Sequence, residues 1–332
     1  MAEFRRLFAD AERTFVFQHS SGLRAFLVVD STRLGPAAGG IRTATYADEA
    51  DALADARRLA AAMTLKCALA GLDAGGAKTV VIADALVDRA AAFASLGAFV
   101  QELGGLYRCA GDYGTTDADL SAVASTCEYV HQGAVLAESV AQGALACLRA
   151  ASRFVGREVE GLRVAVQGCG AIGTAYARAL VAAGCDVRVC DIDRGRAEAL
   201  AQTHPSMIAI EPEDFLTSEV DVLAPCARGG VLDDAAARRV RASIVCGAAN
   251  NVCAGGGAGV LHARGIVHVP DVLASAGAVV DGIGRTVMGL ADRTPLIEGL
   301  GDTASQLLER ARSAAMPTEA MAAQMAAQRL NH

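Results

Sequence analysis

Apolar residues along this chain switch between two spacings. Near the start they alternate, in Thr14-Phe15-Val16-Phe17 and in Arg24-Ala25-Phe26-Leu27-Val28-Val29-Asp30, with Ser20-Ser21-Gly22 between the runs. Period-two alternation broken by turn residues predicts a hairpin of two strands. Behind Asp48, a candidate N-cap, Ala50, Leu53, Ala56, Leu59, Ala60 and Met63 recur at helical spacing. That spacing predicts a helix over 48–64 that delivers Lys66 at its end. Residues 79–83 form a short apolar β-branched run, and 85–104 read as an amphipathic helix closed by Gly104-Gly105.

From Leu162 onward the pattern changes. Short apolar runs at 162–167, 187–191, 220–224, 243–247 and 266–269 alternate with helical stretches, which predicts a parallel sheet covered on both faces. The predicted fold is therefore α/β. A mixed-sheet N-terminal domain for catalysis and oligomerisation, 1–135, precedes a Rossmann-type doubly wound parallel-sheet domain, 136–301. A helix over 135–155 connects them. The tail, 302–332, reads as helix broken at Pro317 and is long enough to rejoin the first domain.

Length and composition narrow the function. At 332 residues the chain suits about two domains with cores of their own. Hydrophobic residues make up 53% and aromatics only 4%, with no Trp, so Ala, Val, Leu and Ile must fill the cores. A net charge of −7 offers no basic face for nucleic acid. No apolar run approaches the ~20 residues of a membrane span, and the opening Met1-Ala2-Glu3-Phe4-Arg5-Arg6 lacks the apolar core of a signal peptide; a cytoplasmic location is expected. Ten cysteines without a Cys-x-x-Cys pair read as reduced, buried small hydrophobes, and no metal is expected.

One count singles out candidate chemistry. Of 30 basic residues only Lys66 and Lys78 are lysines. Where Arg has replaced Lys wherever a solvated cation suffices, the surviving lysines mark places where guanidinium cannot serve. Only an ammonium can lose its proton in the working pH range when buried.

The clearest motif is Val164-Ala165-Val166-Gln167-Gly168-Cys169-Gly170-Ala171-Ile172-Gly173, a strand running into three spaced glycines and then a helix over 174–183. Gly168 permits a tight turn, Gly170 lets backbone approach a pyrophosphate, and Gly173 allows close helix packing. The next strand ends at Asp191, 18 residues after Gly173, where adenosine ribose hydroxyls would lie. A carboxylate there repels a 2′-phosphate, so NAD is expected as cofactor; Arg194 and Arg196 read as solvated loop cations. Two further loops, at Cys226-Ala227 and Asn250-Asn251, follow sheet strands and would face the nicotinamide half, although paired Asn residues equally suit turn caps.

Around the lysines the chain reads Met63-Thr64-Leu65-Lys66-Cys67 and Gly75-Gly76-Ala77-Lys78-Thr79, then Cys109-Ala110-Gly111-Asp112-Tyr113-Gly114. With Leu34-Gly35-Pro36-Ala37-Ala38-Gly39-Gly40-Ile41-Arg42 and the two later loops, these segments resemble, in order and over nearly the whole chain, the leucine, phenylalanine and valine dehydrogenases of the glutamate dehydrogenase superfamily. The resemblance implies reversible oxidative deamination of an L-amino acid to a 2-oxo acid and ammonium. It implies that Lys66 binds the substrate carboxylate beside Gly39 and Gly40. Lys78, held by the glycine turn, is implied as general base, and Asp112 as the group that exchanges protons with the amino nitrogen. In this family an interdomain cleft closes on the substrate, and members are homo-oligomers.

The sequence also departs from the family pattern. The usual Asn-Ala-Gly-Gly appears as Ser275-Ala276-Gly277-Ala278, the usual Gly-Gly-Gly-Lys as Gly75-Gly76-Ala77-Lys78, and a Thr that usually approaches the nicotinamide as Val140. Positions matching the side-chain pocket are Ala38, Met63, Ala110, His131, Val279 and Gly282. Small residues at Ala38 and Gly282 leave room for an aromatic substituent, so Phe-like or Trp-like substrates are expected over Leu or Val. Two other readings stay open: a relative acting on a different amine or imine, and a non-catalytic NADH sensor.

Overall fold

The computed structural model describes residues 11–132 and 136–331. The chain divides into two compact units, Met1–Ala134 with Gly282–Leu290, and Val135–Asp281 with Ala291–His332. The opening residues on which the signal-peptide expectation rests, and the expected boundary at 135, lie outside the described residues.

The first unit is built on a five-stranded mixed sheet. Its strands are β1 (Arg13–Gln18), β2 (Arg24–Ser31), β3 (Ala37–Ala44), β4 (Gly75–Ile82) and β5 (Tyr107–Gly111), in spatial order β1-β2-β4-β3-β5. The hairpin forms as the alternation predicts, with β1 antiparallel to β2 from Arg13 opposite Val29 to Gln18 opposite Arg24. Strand β4 is antiparallel to β2, whereas β3 runs parallel to both β4 and β5. Helix α1 (Glu49–Leu69) begins at Asp48, whose side chain accepts the Asp51 N–H. It runs past the predicted end, so Lys66 lies within its last turn. Helices α2 (Arg89–Glu102) and α3 (Asp117–Ala124) complete the unit.

Each sheet face carries its own core because successive strand residues point to opposite sides. Phe26, Val28, Val80 and Ile82 pack on Ala52, Leu53, Ala56 and Ala60 of α1. On the other face Ala37, Ile41, Ala77, Val81, Tyr107 and Cys109 pack with Phe93, Leu96, Leu120 and Val123 of α2 and α3. The predicted strand at 79–83 starts four residues earlier, at Gly75. Lys78 is thus a mid-strand residue and is not held by a glycine turn; the Gly75-Gly76 pair, which looks like a loop, is strand because neighbouring backbone lies too close for side chains there.

The second unit opens with α4 (Leu136–Phe154) and holds a six-stranded, all-parallel sheet. Its strands are β6 (Arg163–Gln167), β7 (Asp186–Cys190), β8 (Met207–Ala209), β9 (Val222–Pro225), β10 (Ile244–Val245) and β11 (Val267–His268), in spatial order β11-β10-β9-β6-β7-β8. Read from β6, this is the 3-2-1-4-5-6 order of a Rossmann sheet. The intervening helices are α5 (Ala171–Ala182), α6 (Arg194–Ala201), α7 (Asp234–Arg239) and α8 (Gly257–Ala263), and after β11 come α9 (Asp271–Ala274) and α10 (Gly277–Thr286). Strand β8 escaped the sequence reading because its three residues include two exposed ones.

The tail forms α11 (Thr294–Ala314) and α12 (Thr318–Leu330). The break near Pro317 is where the sequence placed it, but the tail does not rejoin the first domain. Ile297, Leu300, Ala304, Leu307, Leu308 and Ala311 line one buried stripe of α11, which packs along α4. Small residues allow close approach: a Cβ on Gly143 would meet Leu300 Cδ1 at 2.8 Å, and one on Gly301 would meet the Ala146 carbonyl at 2.9 Å. Gly282–Leu290, placed by the sequence in the second domain, groups instead with the first unit.

Candidate functional site

In the first unit, period-two geometry collects the candidate chemistry on one sheet face. Even-numbered residues of β3, β4 and β5 point toward the α1 side, bringing together Ala38, Gly40 and Arg42, then Lys78, then Ala110 and, just past β5, Asp112. Lys78 Nζ lies 2.6 Å from Asp112 Oδ2. That contact spans β3, which separates β4 from β5 in the sheet. Gly40 makes the reach possible: a Cβ there would lie 2.8 Å from Asp112 Cβ and 3.1 Å from Lys78 Nζ.

Behind this pair runs a row of alternating charge. Arg42 Nε lies 3.2 Å from Asp112 Oδ2 and its Nη1 lies 3.2 Å from Asp55 Oδ2, while Asp55 also pairs with Arg58. The Tyr46 hydroxyl donates to Asp55 Oδ2 at 2.8 Å. Burial lowers the Lys78 pKa and outweighs the opposing pull of Asp112; Arg42 lowers it further. Burial alone raises the Asp112 pKa, yet Lys78 and Arg42 together hold it below the ordinary carboxylate range. The result is an amine that sheds its proton more readily than a surface lysine, beside a carboxylate that stays ionised. Arg42, Tyr46, Asp55, Arg58 and Tyr113 line a hollow of about 520 Å³.

Sequence reasoning assigned no role to Arg42 or Asp55. The available signal was the even spacing of Ala38, Gly40 and Arg42, which becomes readable once β3 is recognised as a strand. Lys66 is also buried. Gly39 is buried on the opposite face, its carbonyl accepting the Tyr107 hydroxyl at 3.0 Å. Met63, Ala110 and His131 are half-buried and Ala38 is buried. Among the described residues, apart from its own helix, a Cβ built on Gly282 would meet only His131 Cδ2 within 4 Å, at 4.0 Å, so space is left beside that glycine.

In the second unit the site is made of backbone. Gly168 follows β6 with φ of +99°, and a Cβ there would sit 2.8 Å from that of Ala227. Gly170 is the N-cap of α5 and supplies no side-chain acceptor, so the first amides of the helix, at Ala171 and Ile172, remain available to an anion. Gly173, in the first turn of α5, is buried. Asp191 follows β7, and its two carboxylate oxygens accept the N–H groups of Cys169 at 2.7 Å and Asp193 at 2.9 Å. Cys226 and Ala227 follow β9, the strand beside β6, so Gly168 and Ala227 flank the point where strand order reverses. These features fit a dinucleotide: an uncapped helix start for the pyrophosphate, a glycine that keeps the crevice clear, and a carboxylate at the end of the second strand. Asn250 is exposed, and its Oδ1 lies 3.2 Å from Ser275 Oγ, which also donates to the Asp271 carbonyl at 2.6 Å. Val279 is half-buried in α10, and Val140 is buried in α4.

Known proteins match both units. Residues 11–129 match the Glu/Leu/Phe/Val dehydrogenase dimerisation domain, and 187–282 match the Glutamate/Leucine/Phenylalanine/Valine dehydrogenase domain. Residues 123–228 match the NAD binding domain of D-isomer specific 2-hydroxyacid dehydrogenases. A leucine dehydrogenase of Thermoactinomyces intermedius is 34% identical over 93% of this chain and 88% of its own. A valine dehydrogenase of Streptomyces albus is 36% identical over 94% and 89%. Among solved structures, an L-tryptophan dehydrogenase from Nostoc punctiforme aligns with a TM-score of 0.87 at 29% identity, covering 100% of this chain and 98% of that one.

Proposed function

Because the chain belongs to the glutamate, leucine, phenylalanine and valine dehydrogenase family, and is an amino acid dehydrogenase using a nicotinamide cofactor, we propose that it oxidatively deaminates L-amino acids with aromatic side chains, using NAD. The carrying observation is the buried Lys78–Asp112 contact at 2.6 Å with Arg42 behind it. Lys66 binds the substrate carboxylate as a retained cation, with Gly40 on the Lys78 face of the sheet; Gly39, turned to the opposite face, takes no part.

When bound, the nicotinamide supplies the hydride acceptor for the substrate α-carbon. The remaining steps fall to the first unit. Ionised Asp112 takes a proton from the substrate ammonium, so that loss of hydride from the α-carbon leaves a protonated imine. Neutral Lys78 takes a proton from water as its oxygen bonds to the imine carbon, giving a carbinolamine, and passes that proton to solvent. Asp112 returns its proton to the amino nitrogen, and the carbon–nitrogen bond breaks to release ammonia as Lys78 takes the hydroxyl proton and the second carbon–oxygen bond forms. Burial tunes Lys78 for this role, since a lysine near its ordinary pKa would be almost wholly protonated at neutral pH.

NAD over NADP is supported by Asp191, whose charge opposes a 2′-phosphate. Arg194 is paired with Glu198 and Glu211, and Arg196 with Asp193, so these cations are already engaged. Asp191 would hold the adenosine ribose, the 168–173 loop the pyrophosphate, and Cys226, Ala227 and Asn250 the nicotinamide half. Aromatic preference is supported by the open space at Gly282 next to His131 and by the small Ala38; Met63 and Ala110 of the first unit, and Val279 and Ser275 of the second, are the other residues assigned to substrate. Self-association is supported by the match to a dimerisation domain and by edge strand β1, whose Val16 is 63% exposed. Among the described residues no helix is long and apolar enough to cross a membrane.

Initial rates of 2-oxo acid reduction with ammonium test this reading. Phenylpyruvate and indolepyruvate should outpace the oxo acids of leucine and valine, with NADH preferred to NADPH. Faster turnover of the branched aliphatic oxo acids would overturn the aromatic assignment, and preference for NADPH the cofactor assignment.

A further inference from the structure

Away from both sites, three elements of the second unit bring a thiol, an imidazole and a carboxylate together. Cys253 lies in the segment bridged to Leu232, His268 ends β11, and Glu319 lies in the first turn of α12. Their ligand atoms all lie within 4.8 Å of one another. Cys253 Sγ is 3.9 Å from His268 Nδ1, and Glu319 Oε1 is 2.7 Å from the same nitrogen. We propose that Cys253, His268 and Glu319 form a binding site for a divalent metal ion of zinc's class, which ties α12 to the edge of the parallel sheet.

One feature distinguishes a chelate from a proton relay. A Cys–His–acid relay places thiol and carboxylate on opposite ring nitrogens; here both approach Nδ1, with Glu319 Oε1 paired to it at 2.7 Å, so the three donors surround one point.

The distances suit the ion. Zinc bonds of about 2.0–2.3 Å in a tetrahedron hold nitrogen and oxygen about 3.3 Å apart, and nitrogen and sulfur about 3.6 Å apart. The observed 2.7 and 3.9 Å bracket those values and need shifts of about half an ångström. One imidazole, one thiolate and one carboxylate form a borderline-soft donor set that suits zinc. A cavity of about 290 Å³, lined by His268, Ile266, Leu308, Arg312 and Thr318, adjoins the cluster and gives an ion or its fourth ligand a way in.

Ligation needs the thiolate, the carboxylate and a free imidazole nitrogen, so binding releases protons. The scattered cysteines gave no hint of the site, because its ligands are separated by 14 and 50 intervening residues and meet only when α12 docks.

Titration of the full chain with Zn2+ against a chromophoric chelator, followed by Co2+ substitution, tests the proposal. The expected result is one Zn2+ per chain, a rise in thermal midpoint, and a thiolate-to-cobalt absorption band. Cys253→Ser should abolish the band, and Glu319→Gln should weaken Zn2+ by at least about 100-fold, beyond the usual cost of losing an outer-shell partner. NADH binding, which involves none of the three residues, reports that each variant is folded. A cobalt band surviving in folded Cys253→Ser, or Zn2+ affinity unchanged in folded Glu319→Gln, would overturn the assignment, as would the absence of stoichiometric binding to the wild-type chain.

Discussion

The two candidate sites are built from different materials. In the second unit the dinucleotide cradle is local and made of backbone: one strand end, one glycine-rich turn and one helix start lie within 163–173, with Asp191 reaching back to the Cys169 amide. In the first unit the proton-transfer site is non-local and made of side chains. Its charges come from β3, α1, β4 and the residue after β5, 70 positions of sequence separate Arg42 from Asp112, and a glycine keeps the space between Lys78 and Asp112 open. A backbone cradle tolerates substitution of most neighbouring side chains. A row of alternating charges does not, because removing one member leaves half-buried partners, or the buried Lys78, uncompensated.

That contrast is sharpest at Lys78. Lys78→Arg should lower kcat by about 1,000-fold, since guanidinium cannot surrender its proton, while NADH binding by fluorescence stays near wild type. Appreciable turnover would remove Lys78 from the base role. Asp191→Ala makes the complementary cut. It should weaken NADH by about tenfold or more through loss of a charge-assisted hydrogen bond, weaken NADPH less, and leave the oxo acid preference unchanged; equal losses would place the ribose contact elsewhere.

Smaller changes probe how the charge row tunes its amine. Asp112 raises the Lys78 pKa and Arg42 lowers it, so Asp112→Asn should let Lys78 lose its proton at lower pH, and Arg42→Met should make it hold that proton to higher pH. For oxidative deamination the rising limb of kcat/KM should move down by roughly one pH unit in the first variant and up by a similar amount in the second. Two limbs that move in the same direction would separate the row from Lys78. Gly282→Val should shift the ratio of phenylalanine to leucine activity by about tenfold toward leucine, the scale of one or two methylenes in a pocket. An unchanged ratio would show that the aromatic substituent sits elsewhere.

The legible parts of the molecule follow the same division. The alternation of β6, β7, β9, β10 and β11 with helices, the glycine loop and the Asp48 helix cap all show in patterns within short segments, and each was readable from spacing. Strand β3 was not, because Ala37-Ala38-Gly39-Gly40 carries too little side chain to show an alternation. Without β3 neither the mid-strand position of Lys78 nor the role of Arg42 can be seen. The tail was misplaced for a related reason. Its apolar stripe shows that α11 buries a face, but other helices also bury apolar faces, and the fit of Leu300 against Gly143 is what matches it to α4.

By itself, then, the chain's order of residues determined which groups are capable of chemistry: two lysines among 30 basic residues, a glycine-rich turn before a helix, and an acid at the end of the next strand. These properties belong to residue types and short spacings. Tertiary structure decided what each group meets. It set Lys78 against Asp112 across an intervening strand, backed them with Arg42 and Asp55, and gathered Cys253, His268 and Glu319 at a sheet edge. Proton affinity and metal affinity depend on burial and on charges a few ångströms away, and those distances exist only after strands distant in sequence have paired.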